Sequence, residues 1–131
     1  MLTPLLIAAA LAVPPPPPPR LCDPFMVFFD TESAALTTPT LALLENVRNA
    51  AAMSGAVPLK IVGHADRAGS DAYNRQLSAR RAGAVKAWLL ARGVPGSRIG
   101  ADAVGEDRPI VQTEDGVAQA QNRFVSISLG C

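Results

Sequence analysis

The chain has 131 residues, room for one domain and hardly for two. It is 49% apolar, so it can bury a core, although alanine supplies much of that content. A formal net charge of +1 and 5% aromatic residues argue against nucleic acid, because phosphate binding wants a basic excess and base stacking wants rings.

The first thirteen residues, MLTPLLIAAALAV, form an apolar run of the length of a signal-peptide core, too short to span a bilayer. Ala10-Leu11-Ala12 matches a small-x-small cleavage pattern. Residues 1–12 are therefore read as a secretory signal in preference to an uncleaved membrane-associated tail, although no Lys or Arg precedes the run. Residues 13–21 form a linker in which Pro14 to Pro19 are consecutive, a stiff polyproline II spacer that is either a tether or a compositional accident. The folded domain is assigned to residues 22–131, flanked by Cys22 and Cys131. Leu21, directly ahead of Cys22, argues against lipidation, which needs a small residue there.

Phe25 to Phe29 is an aromatic and β-branched run that reads as a strand ending at Asp30. Thr38-Pro39 supplies an N-cap and a first-turn proline, and Leu41, Leu44, Val47 and Ala51 recur at helical spacing, which predicts a helix over 39–53. Leu59 to Gly63 reads as a second strand. Ser70 or Asp71 caps a long helix reaching Ala91 or Arg92, with Leu77, Val85, Trp88 and Leu89 on its buried stripe and Gly93 closing it. Residues 98–104 read as a third strand, and 105–122 as a long polar connection with a short helix near Val117. Phe124 to Leu129 alternates, with Val125, Ile127 and Leu129 on the buried face and Ser126 and Ser128 opposite. The order β-α-β-α-β-β describes a two-layer α+β domain with helices packed on one face of a sheet, into which the last strand can insert antiparallel.

Two charged residues stand out. Arg81 shares a helix stripe with Leu77 and Val85, so it is either a rim arginine in an ordinary salt bridge or a guanidinium held for a ligand. Asp66 follows the second strand's carboxyl end, where α/β ligands tend to bind; its plainer reading is a loop aspartate capping amides. Together they could clamp a zwitterion, carboxylate to ammonium and guanidinium to carboxylate. His64 is the only histidine, and His64 with Asp66 supplies too few ligands for a zinc site. No G-x-S-x-G, C-x-x-C or P-loop occurs, so neither an enzyme nor a cofactor is expected.

The segments FFDTESAALT, GHADRAGSDAYNRQLSARRAGAVKAWLLARGV, Gly105-Glu106-Asp107-Arg108-Pro109 and Gln121-Asn122-Arg123 resemble the C-terminal domain of outer-membrane protein A, found also in peptidoglycan-associated lipoprotein and the flagellar stator B protein. The resemblance covers about residues 25–129. It implies a mixed four-stranded sheet with helices on one side, and non-covalent anchoring to peptidoglycan through the diaminopimelate of the stem peptide. It implies that Asp66 binds the ligand's ammonium and Arg81 its carboxylate, with Asp30, Thr31, Asn74 and Arg123 beside the pocket. It places the chain in the periplasm, with no nucleic acid among its partners. It also implies a Cys22–Cys131 disulfide, because the last strand runs antiparallel beside the first. One departure is Phe124, which stands where the family usually has a second arginine. An alternative function is a protein-interaction module, docking for instance an outer-membrane protein through Phe124 and the 105–122 loop. Phe124 shares a face with the serines, so it is either exposed for that purpose or buried beneath the loop.

Overall fold

The computed structural model describes residues 13–14 and 23–130. The signal assigned to 1–12, most of the linker, and both cysteines, Cys22 and Cys131, lie outside the described residues.

Four strands and two helices follow in the order β1 (Phe25–Phe28), α1 (Thr38–Met53), β2 (Leu59–Gly63), α2 (Asp71–Ala91), β3 (Ile99–Ala103) and β4 (Phe124–Leu129). The sheet order is β1-β4-β2-β3. β2 and β3 pair in parallel, whereas β4 lies antiparallel to both β1 and β2. The expected mixed α+β sheet is thus what forms. The register sets Ile127 between Phe25 and Ile61, and Val125 between Val27 and Gly63. Period-two alternation then turns Val27, Ile61, Val125 and Ile127 onto one face, where they join Leu44 and Val47 of α1 and Val85 and Leu89 of α2 in the core.

The element ends differ from the sequence reading in several places. β1 stops at Phe28 rather than Phe29, and β3 at Ala103 rather than Val104. Thr37 rather than Thr38 is the N-cap of α1, and Thr38 starts the helix with Pro39 in its first turn. Arg98 lies in a short 3-10 turn, Gly96–Arg98, before β3 begins at Ile99. Its guanidinium is drawn out of line by the carbonyls of Ala51 and Val57, which it ties together behind the end of α1. The connection after β3 has no helix at Val117. Its one turn of helix is Ala120–Asn122, immediately before β4.

Gly63 ends β2 at a close crossing with α2. A β-carbon at this position would lie inside the van der Waals radius of the Ser78 carbonyl oxygen, in helical backbone that cannot turn aside. This contact brings the middle of α2, and with it Arg81, down onto the end of β2. Gly63→Ala is expected to destabilise the domain by roughly 2–4 kcal/mol through overpacking. Gly83, on the exposed side of α2, has open space where a methyl group would go, with no neighbouring atom within 4 Å. Gly83→Ala should stabilise by about 0.5–1 kcal/mol. Urea midpoints of the two variants against wild type check both signs.

Candidate functional site

Arg81 is wholly buried, at 0% exposure. Its Nε donates to the Ser33 carbonyl at 2.9 Å, Nη1 to the His64 carbonyl at 3.1 Å, and Nη2 to the Asp30 carbonyl at 3.0 Å. Its guanidinium lies 5.3 Å from the centre of the Phe29 ring. It is therefore not a rim arginine in a salt bridge: among the described residues it makes no ion pair within 4 Å. Burial pushes its pKa down to about 10, with the Asp66 charge opposing, so it stays protonated at neutral pH. The chain offers it neutral carbonyls from two separate segments, the β1–α1 turn and the end of β2. Glu32 in that turn adopts φ 53, a left-handed conformation that non-glycine residues visit rarely.

Asp66 is 5% exposed and lies three residues past β2. Its Oδ1 accepts from the Ala68 amide at 3.2 Å. Its Oδ2 accepts from the Gln119 amide at 3.0 Å and from Arg123 Nη1 at 3.1 Å. Arg123 Nε in turn donates to the Phe29 carbonyl at 3.0 Å. Asp66 does cap amides, as its plainer reading expected, but it also holds a second guanidinium.

Asn74, 2% exposed in the first turn of α2, donates to Glu106 Oε2 at 3.0 Å and to the Gly69 carbonyl at 3.3 Å. Asp30 contributes its backbone carbonyl to Arg81, while its side chain and Thr31 sit in the exposed turn. Several residues that hold the 105–122 loop in place were not assigned roles from the sequence. Arg67 donates to the Thr113 carbonyl and pairs with Asp115 and Glu106. Asn122, 1% exposed, accepts from the Ile110 and Val111 amides and donates to the Val111 carbonyl. The only sequence signal for these was their place in the segments Gly63-His64-Ala65-Asp66-Arg67 and Gln121-Asn122-Arg123.

The OmpA family model matches residues 28–123. The chain belongs to the OmpA family. It is 36% identical over 104 residues to the peptidoglycan-associated lipoprotein of Rhizobium meliloti (strain 1021), covering 79% of this chain and 59% of that protein. It is 34% identical over 102 residues to outer membrane protein A of Bordetella avium, covering 78% of this chain and 53% of that protein. The chain thus spans a little over half the length of these two curated relatives. The crystal structure of the peptidoglycan-associated lipoprotein from Burkholderia pseudomallei matches with a TM-score of 0.73 at 28% identity, covering 79% of this chain and 88% of that one.

In this OmpA-family domain Phe124 is 5% exposed, so it is not a surface aromatic. Its ring stacks on His64 with centroids 3.9 Å apart and planes 15° apart, and meets Phe28 at 6.1 Å. These three rings lie on the sheet face opposite the helices. With Phe124 covered, the 105–122 loop loses the anchor that a protein-docking surface would have used. A cavity of about 440 Å³ lies beside the edge strand β1, lined by Phe28, Asp30, Pro39, Leu43, Gln121 and Arg123 among others. It reaches two of the expected site residues, Asp30 and Arg123, but neither Asp66 nor Arg81 lines it.

His64 is 7% exposed, and burial is the main cause that lowers its pKa from 6.5 to about 4; the polar backbone of Arg108 opposes this and the Arg108 charge adds to it. Neutral His64 is thus favoured in the folded state. Its contribution to stability is full above pH 6.5 and is lost as pH falls toward 4, because the unfolded chain takes up the proton first. The loss across that window is expected to be roughly 2–3 kcal/mol. Urea unfolding at a series of pH values should show this slope in wild type and a flatter one in His64→Gln.

Proposed function

We propose that this domain binds peptidoglycan non-covalently, through the zwitterionic end of diaminopimelate in the stem peptide, and thereby anchors the cell envelope. The observation that carries the reading is that two buried groups of opposite charge, Asp66 just past β2 and Arg81 on α2, act on each other without forming a direct ion pair. Arg81 has five N–H groups, of which three are engaged by neutral carbonyls. Its positive charge is therefore left for a carboxylate to balance, and Asp66 is the acceptor for an ammonium. Asn74, Asp30, Thr31 and Arg123 would flank the ligand. Both charged groups are covered in this structure, so ligand entry includes displacing part of the 30–33 turn or of the 119–123 segment. The names of the relatives, a peptidoglycan-associated lipoprotein foremost, favour peptidoglycan as the partner. No covalent step is part of this reading.

Arg81→Ala is a poor binding probe, because it would leave the buried His64 carbonyl and the Ser33 carbonyl without their guanidinium donor and loosen the turn after β1. Asp66→Asn keeps the shape and removes the charge. In co-sedimentation with diaminopimelate-type sacculi, the wild-type protein should pellet and Asp66→Asn should bind about tenfold or more weakly, the scale of a lost charge-assisted hydrogen bond. Equal binding by a folded Asp66→Asn protein would overturn the proposal.

The reading includes export to the periplasm by residues 1–12 and a disulfide between Cys22 and Cys131. The described ends of the chain support the bridge: Phe25 pairs with Ile127, so the chain enters β1 and leaves β4 at the same end of the sheet. Such a bridge would be worth roughly 2–5 kcal/mol. Protein from an oxidising compartment should react with a thiol alkylating agent only after reduction; two reactive thiols before reduction would contradict it.

A further inference from the structure

We infer that Arg123 is a specificity-determining residue, an internal cation that occupies Asp66 and yields it to a ligand amine only when the ligand brings its own carboxylate. This inference rests on the Asp66–Arg81 clamp proposed above.

Asp66 has little acceptor capacity to spare. A carboxylate has about four lone-pair sites. Three are taken, one on Oδ1 by the Ala68 amide and two on Oδ2 by the Gln119 amide and Arg123. The ion pair with Arg123 is well shielded, with side-chain exposures of 7% for Asp66 and 14% for Arg123. A ligand ammonium that used the remaining Oδ1 site would sit close to the Arg123 guanidinium on the same carboxylate. Two cations on one shielded carboxylate repel each other at low effective dielectric.

The site already holds an excess of positive charge. Asp66, Arg81 and Arg123 carry two positive charges and one negative. The two guanidiniums act on each other, since the Arg123 charge disfavours protonated Arg81 while Asp66 favours it. Of the other acids, Glu106 is engaged by Asn74 and Arg67, Asp115 by Arg67, and Asp30 has its side chain in the exposed turn, where solvent and salt screen its charge. A plain amine would raise the local count to three cations against one anion. A zwitterion keeps the excess at one and alternates the charges. Arg123 can stay tethered through Nε to the Phe29 carbonyl while its Nη1 transfers from Asp66 to the ligand's carboxylate. The ion pair is exchanged rather than broken, and a ligand without a carboxylate has nothing to offer in exchange.

The test compares two soluble competitors of sacculus binding in the co-sedimentation assay. One is diaminopimelate. The other is cadaverine, which has the same two amines on the same carbon spacing and neither carboxylate. Selectivity is the ratio of concentrations that halve retention of the protein. Wild type should discriminate strongly in favour of diaminopimelate. Arg123→Gln and Arg123→Met both remove the charge, so folding failure of one leaves the other to decide. In a folded neutral variant the selectivity ratio should fall by about fivefold or more, the scale of one partly screened ion pair, with cadaverine gaining. Arg123→Lys, which restores a cation, should recover most of the ratio; a merely structural role would not separate Lys from Gln and Met in this way. An unchanged ratio in the neutral variants, with sacculus binding retained, overturns the inference and leaves the anchor reading standing. Wild-type protein that does not bind sacculi overturns the anchor reading, and this inference with it.

Discussion

The buried guanidinium of Arg81 is the tie on which the rest of the site depends. It gathers carbonyls from the turn after β1 and from the residue after β2, so two segments far apart in sequence are fixed to one helix. Without it the His64 carbonyl would be buried with its guanidinium donor gone, and a buried unsatisfied acceptor is expensive. The positive charge could have been placed against a carboxylate. Instead it is solvated by neutral dipoles and an aromatic face, with Asp66 acting on it from farther away. That arrangement lets one residue hold the β1–α1 turn in place while keeping a buried cation within the field of Asp66.

The sheet topology explains why everything relevant meets at one edge of the molecule. β4 runs antiparallel between β1 and β2, so its beginning lies beside their ends. Arg123 just before β4, Phe29 just after β1, and His64 to Asp66 just after β2 are therefore neighbours. The Gly63 crossing lowers α2 onto the same place. The 105–122 connection closes over it, fastened to Asp66 through Gln119, to Arg67 through residues 113–116, and to itself through Asn122. Much of the polar bonding at this end of the sheet thus runs through one loop, and in the proposed reading the loop is what a ligand must negotiate.

Much of the fold was legible in the sequence. The strands and helices announce themselves because their apolar periods are clean, and the alternation from Val125 to Leu129 gave the buried face of β4 directly. The ends were less legible where a side chain answers to a distant carbonyl: Arg98 leaves the strand register to cap the end of α1, which no local pattern encodes. Asp66 and Arg81 were legible as chemically odd, an acid past a strand end and a cation on an apolar stripe. Their partners were not. Periodicity places Arg81 on the buried stripe but cannot say that backbone carbonyls will satisfy it. The pairing of Asp66 with Arg123 spans 57 residues and exists only once β4 has inserted beside β2. Phe124 shows the same limit. Alternation put it on the serine face, and only the folded chain brings the His64 and Phe28 rings against it there.

The most direct test of the central claim is a map of where the ligand lands. ¹⁵N-labelled protein would be titrated with a soluble muropeptide carrying diaminopimelate, following the Nε–H signals of Arg81 and Arg123 and the backbone amides of Ala68 and Gln119, both of which donate to Asp66. The account predicts that these four signals shift together and saturate at one ligand concentration. Shifts confined to the cavity beside β1, at residues such as Phe28 and Leu43, with these four signals unmoved, would contradict it.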